Sequence, residues 1–465
     1  MTTMPAADAP AVVPVLSALA SALPPVERRS ILPAGFLAGG AAIGIKASGR
    51  PDLAIVRTTD GPAAAAAVFT PNVFAAAPVR LSKANLAATS GDPHGRHGWA
   101  EVVVSTSGSA NAATGPIGDK DQAEVGRLVA AATGVALERI LHVSTGIIGT
   151  RLPIDRVGAG IAALVPGLGR ADDGFEAAAV ALRTTDSVTK VATTTVELPG
   201  DGGGSVRVTV SGMAKGVGMI HPRMATMLAV VLTDATVEPA VLAGLLRPAT
   251  VRTWDQLSVD GDTSTNDTVF VLASGRTTHA EVTAGSEAAA ALGRAIEAVA
   301  RDLARQQAAD GEGATTLVTC QVSGARDDAE ARAVAREVIS SSLVKAAVHG
   351  RDPNWGRIAG AAGNAMLAPA AVLQAGGLSA DEAVRRAGSL VELDPDRLRI
   401  AIAGHLVFDG AAGGPIEFDR VAARTDMEAP ELLLRLDLGL GDGTGEAFGC
   451  DLTEAYVIEN SEYTT

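Results

Sequence analysis

Short runs of β-branched and other apolar residues alternate along the chain with longer stretches in which apolar positions recur every three or four residues. The runs Glu101 to Val104, Ser205 to Val210, Thr268 to Leu272, Thr316 to Val322 and Leu398 to Ile402 predict strands. Val125, Leu128, Val129 and Ala132 share one helical face ahead of Gly134, a natural helix stop. Ser286 can cap a second helix, whose Leu292, Ile296, Val299 and Leu303 follow at spacings of four, three and four before the turn Asp310-Gly311-Glu312-Gly313. These elements interleave without a regular strand-helix-strand cadence. They predict an α/β fold in which mixed sheets form a layered sandwich with helices packed outside, and a doubly wound nucleotide fold is disfavoured. No repeat period or long linker tract divides the chain.

Composition narrows the function. With 465 residues, 47% hydrophobic and 19% charged, the chain can bury a large core, and with only 3% aromatics that core is built from Ala, Val, Leu and Ile. A formal charge of -14 leaves no basic stripe for a phosphate backbone, so nucleic acid is not expected as a partner. Pro5, Pro10, Pro14, Pro24 and Pro25 interrupt the apolar start, which also lacks the positive charge of a secretory signal; residues 1–28 read as a loosely ordered leader. No apolar stretch is long enough to span a bilayer. Cys320 and Cys450 stand far apart with no CxxC pair, which argues against a disulfide framework or a thiolate zinc site and points to a reducing cytoplasm.

Several familiar motifs fail. Gly39 to Lys46 approximates a phosphate loop, but its lysine comes one place late and no hydroxyl residue follows it. Asp260 to Asp267 begins like a calcium loop, yet Thr265 stands where glycine is needed and Val271 where glutamate is; a turn held by Asx and hydroxyl side chains is the better reading. Neither HExxH nor GxSxG occurs, and of the seven histidines only His349 lies in a dense polar stretch.

What remains is a constellation around a threonine. Thr226 stands where a glycine-rich turn, Lys215-Gly216-Val217-Gly218-Met219-Ile220, passes through Met224-Ala225 into the apolar run from Met227. By pattern alone such a threonine is an N-cap or a strand residue. With Met224-Ala225-Thr226-Met227-Leu228, however, this segment resembles the signature of the ornithine acetyltransferase family, the bifunctional glutamate N-acetyltransferases (ArgJ family) of arginine biosynthesis. Further stretches similar to that family run in order along the chain: Ser144 to Gly149, Val259 to Asp267, Asp310 to Ala314, His349 to Arg357 and Asn460 to Thr465.

The resemblance implies an ornithine acetyltransferase (DmpA/ArgJ-like) fold, self-cleaved between Ala225 and Thr226 into an α chain, 29–225 after the leader, and a β chain, 226–465. It implies that Thr226 is the nucleophile. Cleavage would leave its α-amine free, with a pKa of roughly 7.7 to 8.0, able to take the hydroxyl proton without a histidine. It implies oxyanion stabilisation by Thr145 and Gly146, and substrate binding by Thr184, Thr185, Lys215, Thr226, Glu312, Asn460 and Thr465. The implied reaction carries acetyl from N2-acetylornithine to glutamate through a threonyl ester, with no metal or organic cofactor; some members of the family also use acetyl-CoA. The family's α2β2 heterotetramer is expected here too.

The chain departs from the family in Thr106 to Asn111 and at His221 and Arg223, positions that bear on the acceptor more than on the reaction class, and in Ser187-Val188-Thr189, which follows the family-like stretch Thr184-Thr185-Asp186. Two rivals stay open: a self-cleaving threonine amidase or aminopeptidase with water as acceptor, and a non-catalytic binding protein on the same scaffold.

Overall fold

The computed structural model describes residues 23–200, 202–221, 227–277 and 280–462. Its described residues divide into two compact units, one of residues 23–313 with Glu454–Glu462, the other of Ala314–Thr453.

In the first unit, β1 (Phe36–Ala41), β2 (Leu53–Thr58), β5 (Val102–Ser109) and β6 (Ile140–Ile147) form a sheet in the order β1-β2-β5-β6, antiparallel except for the parallel β5–β6 pair. A six-stranded sheet has the order β4-β3-β10-β9-β8-β7, where β3 is Ala63–Phe69, β4 His97–Ala100, β7 Lys190–Pro199, β8 Ser205–Lys215, β9 Leu228–Thr233 and β10 Thr268–Ala273. Only β9 and β10 run parallel within it. Both sheets are mixed, as the irregular cadence predicts.

Strand alternation makes the layers. Ala54, Val56 and Val103 face one core together with Leu228, Val230 and Leu232, while their neighbours Leu53, Ile55, Val102 and Val104 face a second core with Val125, Val129, Val157 and Ile161. Those last four belong to α2 (Gly115–Thr133) and α3 (Ile154–Leu164), which cover the outer face of the four-stranded sheet. Helices α1 (Ala77–Ser90) and α4 (Asp172–Leu182) send Val79, Leu86, Phe175 and Ala178 into the core shared by the sheets. Helix α5 (Pro239–Arg252) precedes α6 (Glu287–Ala309), which carries Val299 and Leu303 against Gly212 of β8. A Cβ at Gly212 would lie 2.8 Å from both side chains, so glycine is what lets the helix approach.

The predicted helices appear with their caps. Gly134 closes α2 at φ +75° with its N–H donating to Ala130 O, and the Ser286 side chain accepts from Ala289 N to start α6. The near phosphate loop is occupied by the protein itself. Ile43, Ile45 and Lys46 donate their backbone N–H groups to the fully buried Asp52 carboxylate at 2.7, 2.6 and 2.9 Å. An internal carboxylate there satisfies the anion-seeking amides that a phosphate would otherwise need.

In the second unit, the strands run β16-β11-β15-β12-β13-β14, where β11 is Leu317–Ala325, β12 Arg399–Ile402, β13 His405–Asp409, β14 Gly414–Pro415, β15 Glu431–Asp437 and β16 Gly443–Cys450. Helix α7 (Asp328–Ser340), capped by the Asp327 side chain, lays Ala331, Val334, Ala335 and Val338 on this sheet. Cys320 and Cys450 are both buried, and burial pushes the Cys320 pKa above the ordinary thiol range. No helix among the described residues is long and apolar enough to cross a membrane.

Candidate active site

Seven of the residues singled out in the sequence line one cavity of about 250 Å³ in the first unit: Thr145, Gly146, Thr184, Thr185, Lys215, Glu312 and Asn460. Ala225, Thr226 and Thr465, together with Pro222, Arg223 and Met224, lie outside the described residues.

The flanks of that undescribed junction are held by a single loop. On one side, Ile220 N donates to Asp260 Oδ1 at 2.8 Å, Met219 N donates to the other oxygen of the same carboxylate, and His221 Nδ1 meets Ser258 Oγ at 3.0 Å. On the other side, Met227 N donates to Asp267 Oδ1 at 3.0 Å. Between these anchors, Ser264, Thr265 and Asn266 line the cavity. Asn266 Nδ2 donates to Ala110 O at 2.7 Å and to Ser144 O at 2.8 Å, tying the loop to the ends of β5 and β6. The Asp260 to Asp267 segment is thus the side-chain-held turn expected from its composition, with Asp260 Oδ1 also accepting from Asp262 N at 3.1 Å.

Thr145 and Gly146 sit at the end of β6. Gly146 has φ +124°, and a Cβ there would lie 2.4 Å from the Gly108 carbonyl carbon, so this backbone geometry is open to glycine alone.

Lys215 ends β8 and is 6% exposed. Its Nζ donates to Thr184 Oγ1 at 3.2 Å. Burial holds its pKa below the ordinary lysine range; Asp186 pulls it up most strongly, and Lys190 presses it further down. Asp186, 1% exposed, accepts from Lys190 Nζ at 2.7 Å, Gly216 N at 2.8 Å and Thr184 N at 2.9 Å. Burial works to raise the Asp186 pKa, yet Lys190 and then Lys215 outweigh it and keep the group well below the usual carboxylate range. Lys190, fully buried, also pairs with Asp310, whose carboxylate accepts from Ser187 N at 3.1 Å. This buried cluster fixes the Thr184–Ser187 segment beneath the cavity. The sequence assigned no role to Lys190 and read Asp310 only as the start of a turn and of a family-like stretch; the one available signal for the pairing was the spacing of Asp186 and Lys190 beside the Thr184–Thr185 pair.

Glu312 follows α6 in the expected tight turn. Its N–H donates to Val217 O at 2.8 Å, Thr185 Oγ1 donates to its Oε1 at 3.2 Å, and Asn460 Nδ2 donates to its Oε2 at 3.1 Å. Two glycines make room for this arrangement. A Cβ at Gly218 would stand 2.1 Å from Glu312 Oε2, and one at Gly313 would stand 2.4 Å from Tyr456 N in the C-terminal helix Glu454–Glu462. Gly313, at φ +66°, therefore both turns the chain and seats the helix that carries Asn460.

Among the described residues, the cavity is lined by one buried cation, one carboxylate, several hydroxyls and a glycine-shaped strand end. Such a set suits a small zwitterionic ligand.

Comparison with known proteins agrees with the resemblance read from sequence. The ArgJ family model matches residues 37–465. The arginine biosynthesis bifunctional protein ArgJ of Synechocystis sp. is 41% identical over 449 residues, 95% of this chain and 98% of the relative. The protein of the same name from Geobacillus kaustophilus is 40% identical over 435 residues, 94% of this chain and 96% of the relative. Among solved structures, arginine biosynthesis bifunctional protein argJ from Bacillus halodurans is 36% identical with a TM-score of 0.43, covering 50% of this chain and 98% of that one. Ornithine acetyltransferase from Mycobacterium tuberculosis, complexed with ornithine, is 38% identical with a TM-score of 0.36, covering 43% of this chain and 97% of that one. A family model spanning nearly the whole sequence, and relatives matched over almost their full length, make this chain a member of the ArgJ family.

Proposed function

We propose that this chain is a glutamate N-acetyltransferase of arginine biosynthesis, which cleaves itself between Ala225 and Thr226 and then carries acetyl groups on the Thr226 hydroxyl. Attack of Thr226 Oγ on the Ala225 carbonyl converts the amide into an ester, which water opens. The freed α-amine of Thr226 then accepts the hydroxyl proton in each later turnover. Thr226 Oγ adds to the acetyl carbonyl of N2-acetylornithine, the C–N bond breaks, and the ornithine amine leaves with the proton. The amine of glutamate attacks the threonyl ester in turn, giving N-acetylglutamate and restoring the hydroxyl. Acetyl-CoA would load the same threonine with its thiol as leaving group, and the bifunctional names of the relatives are consistent with a second donor.

The Thr145 hydroxyl and the Gly146 N–H are assigned to the tetrahedral oxyanion, where loss of one donor typically costs about 2.7 to 4 kcal/mol of transition-state stabilisation. Lys215 would meet the substrate carboxylate and Glu312 the side-chain ammonium of ornithine, with Thr184, Thr185, Asn460 and Thr465 completing the pocket. Exchanging one amide for another is nearly neutral in free energy, so the protein's main contributions are positioning and exclusion of water from the ester. The α2β2 assembly and a cytoplasmic location belong to the same proposal.

The observation that carries this reading is the pairing of Lys215 and Glu312 in one cavity whose lining loop continues into Asp267, the partner of Met227 N. The test is acceptor dependence. Acetylornithine should be consumed when glutamate is present and spared when it is absent; equal consumption in both would make the protein a hydrolase.

A further inference from the structure

A second cavity in the first unit, about 680 Å³, opens between the end of β3, helix α1, the segment leading into β4, and helix α5. In a chain with 52 acidic residues against 38 Lys and Arg, each described ionisable side chain that lines it is basic: Lys83, His94, Arg96, His97 and Arg247.

The cationic groups are held in place from outside the cavity. Arg96 is gripped through Nε and Nη2 by Asp92 at 3.1 and 3.0 Å, and Arg247 Nη1 donates to Asp255 Oδ2 at 2.9 Å. Neither carboxylate is among the lining residues. Lys83 Nζ stands 5.4 Å from the centre of the Phe69 ring, so cation and aromatic share one wall.

Gly244, an exposed residue, adds to the open space of the cavity. It lies inside α5, where glycine is destabilising relative to alanine, yet a Cβ at this position would meet nothing within 4 Å. Packing within the chain does not call for glycine there. What its missing side chain leaves open is the cavity, which it lines.

We propose that this cavity binds a phosphorylated organic anion of the nucleotide class. Three cationic side chains from separate elements, Lys83 and two arginines that keep further N–H groups beyond those bound to Asp92 and Asp255, match several phosphate oxygens better than one carboxylate. The volume falls within the roughly 300 to 1,000 Å³ of small-molecule pockets, and the Phe69 side of the cavity together with the bare helix face at Gly244 offers an apolar surface for a flat ring. With a net charge of -14 the protein as a whole repels anions, so binding of such a ligand requires a local built site.

Titration calorimetry on the whole protein at physiological salt, with adenosine 5′-diphosphate, pyrophosphate and adenosine as separate probes, tests this. The diphosphate nucleoside should bind saturably and at least about tenfold more tightly than either fragment, and Lys83→Gln should weaken it by about tenfold, the scale of one charge-assisted contact. Gly244→Leu should fill the space and abolish binding; if that variant fails to fold, Lys83→Gln decides alone. Absence of saturable binding, pyrophosphate binding as tight as the nucleotide, or a nucleotide affinity that Lys83→Gln leaves unchanged and Glu312→Gln weakens would each overturn the proposal, the last by placing the ligand in the acyl-transfer cavity.

Discussion

Asn460 Nδ2 donates to Glu312 Oε2 at 3.1 Å across 148 residues of sequence, so the C-terminal helix reaches the same carboxylate that Thr185 holds from the other side. The bond sets the orientation of the one carboxylate lining the cavity among its described residues. It also makes Asn460 part of the cavity lining.

Glu312→Gln keeps the shape of the side chain and removes its charge. A hydrogen bond to a charged group contributes about 1.5–3 kcal/mol, so the Michaelis constant for N2-acetylornithine should rise by about tenfold or more. Steady-state kinetics with glutamate in excess measures it, and an unchanged constant refutes the assignment of Glu312 to the substrate ammonium.

Gly218→Ala tests the same carboxylate from beneath. The added Cβ would sit 2.1 Å from Oε2, and because that atom ends a flexible side chain, Glu312 should swing aside while the fold persists. The expected result is a thermal midpoint close to the parent's with a raised Michaelis constant for acetylornithine; an unaltered constant would show that the observed position of Glu312 is immaterial.

Deletion of residues 460–465 should abolish transfer and leave a folded protein. Circular dichroism and thermal melting check the fold, and acetyl transfer in the truncated enzyme at the parent rate would remove the C-terminus from the site.

The buried cluster beneath the cavity predicts both a stability loss and a pH signature. Lys190→Met strands Asp186 and Asp310 without their shared cation, which should cost about 3–5 kcal/mol in denaturant unfolding. Asp186 has a folded-state pKa below its unfolded value, so its stabilising contribution is present above the ordinary carboxylate pKa of about 3.9 and is lost as pH falls below it. Asp186→Asn should flatten this acid limb of the stability profile. An identical limb in the variant would contradict the account.

The layered fold and several residues of the candidate cavity's lining were legible in the sequence, for reasons that differ by element. The β-branched run Val102–Val104 and the spacing of Leu292, Ile296, Val299 and Leu303 are local patterns, and their strand and helix follow from them. The loop between Asp260 and Asp267 was readable as a turn because its side chains bond their own backbone neighbours. Its role in bracketing Ile220 and Met227 was not, since those contacts join segments about 40 residues apart. Lys190 and Asp310 were hidden for the same reason: their pairing depends on a separation of 120 residues that no local pattern encodes. The division at Gly313 and Ala314 is likewise a property of packing rather than composition.

The central claim is that the Thr226 hydroxyl acts first on its own backbone and then on the donor. Intact-mass spectrometry of the parent protein and of Thr226→Ala, before and after addition of N2-acetylornithine, tests it directly. The parent should appear as two chains, the second beginning at Thr226 and gaining the mass of one acetyl group, whereas the variant should remain a single unacetylated chain. A variant that still splits and still takes up acetyl would contradict the account.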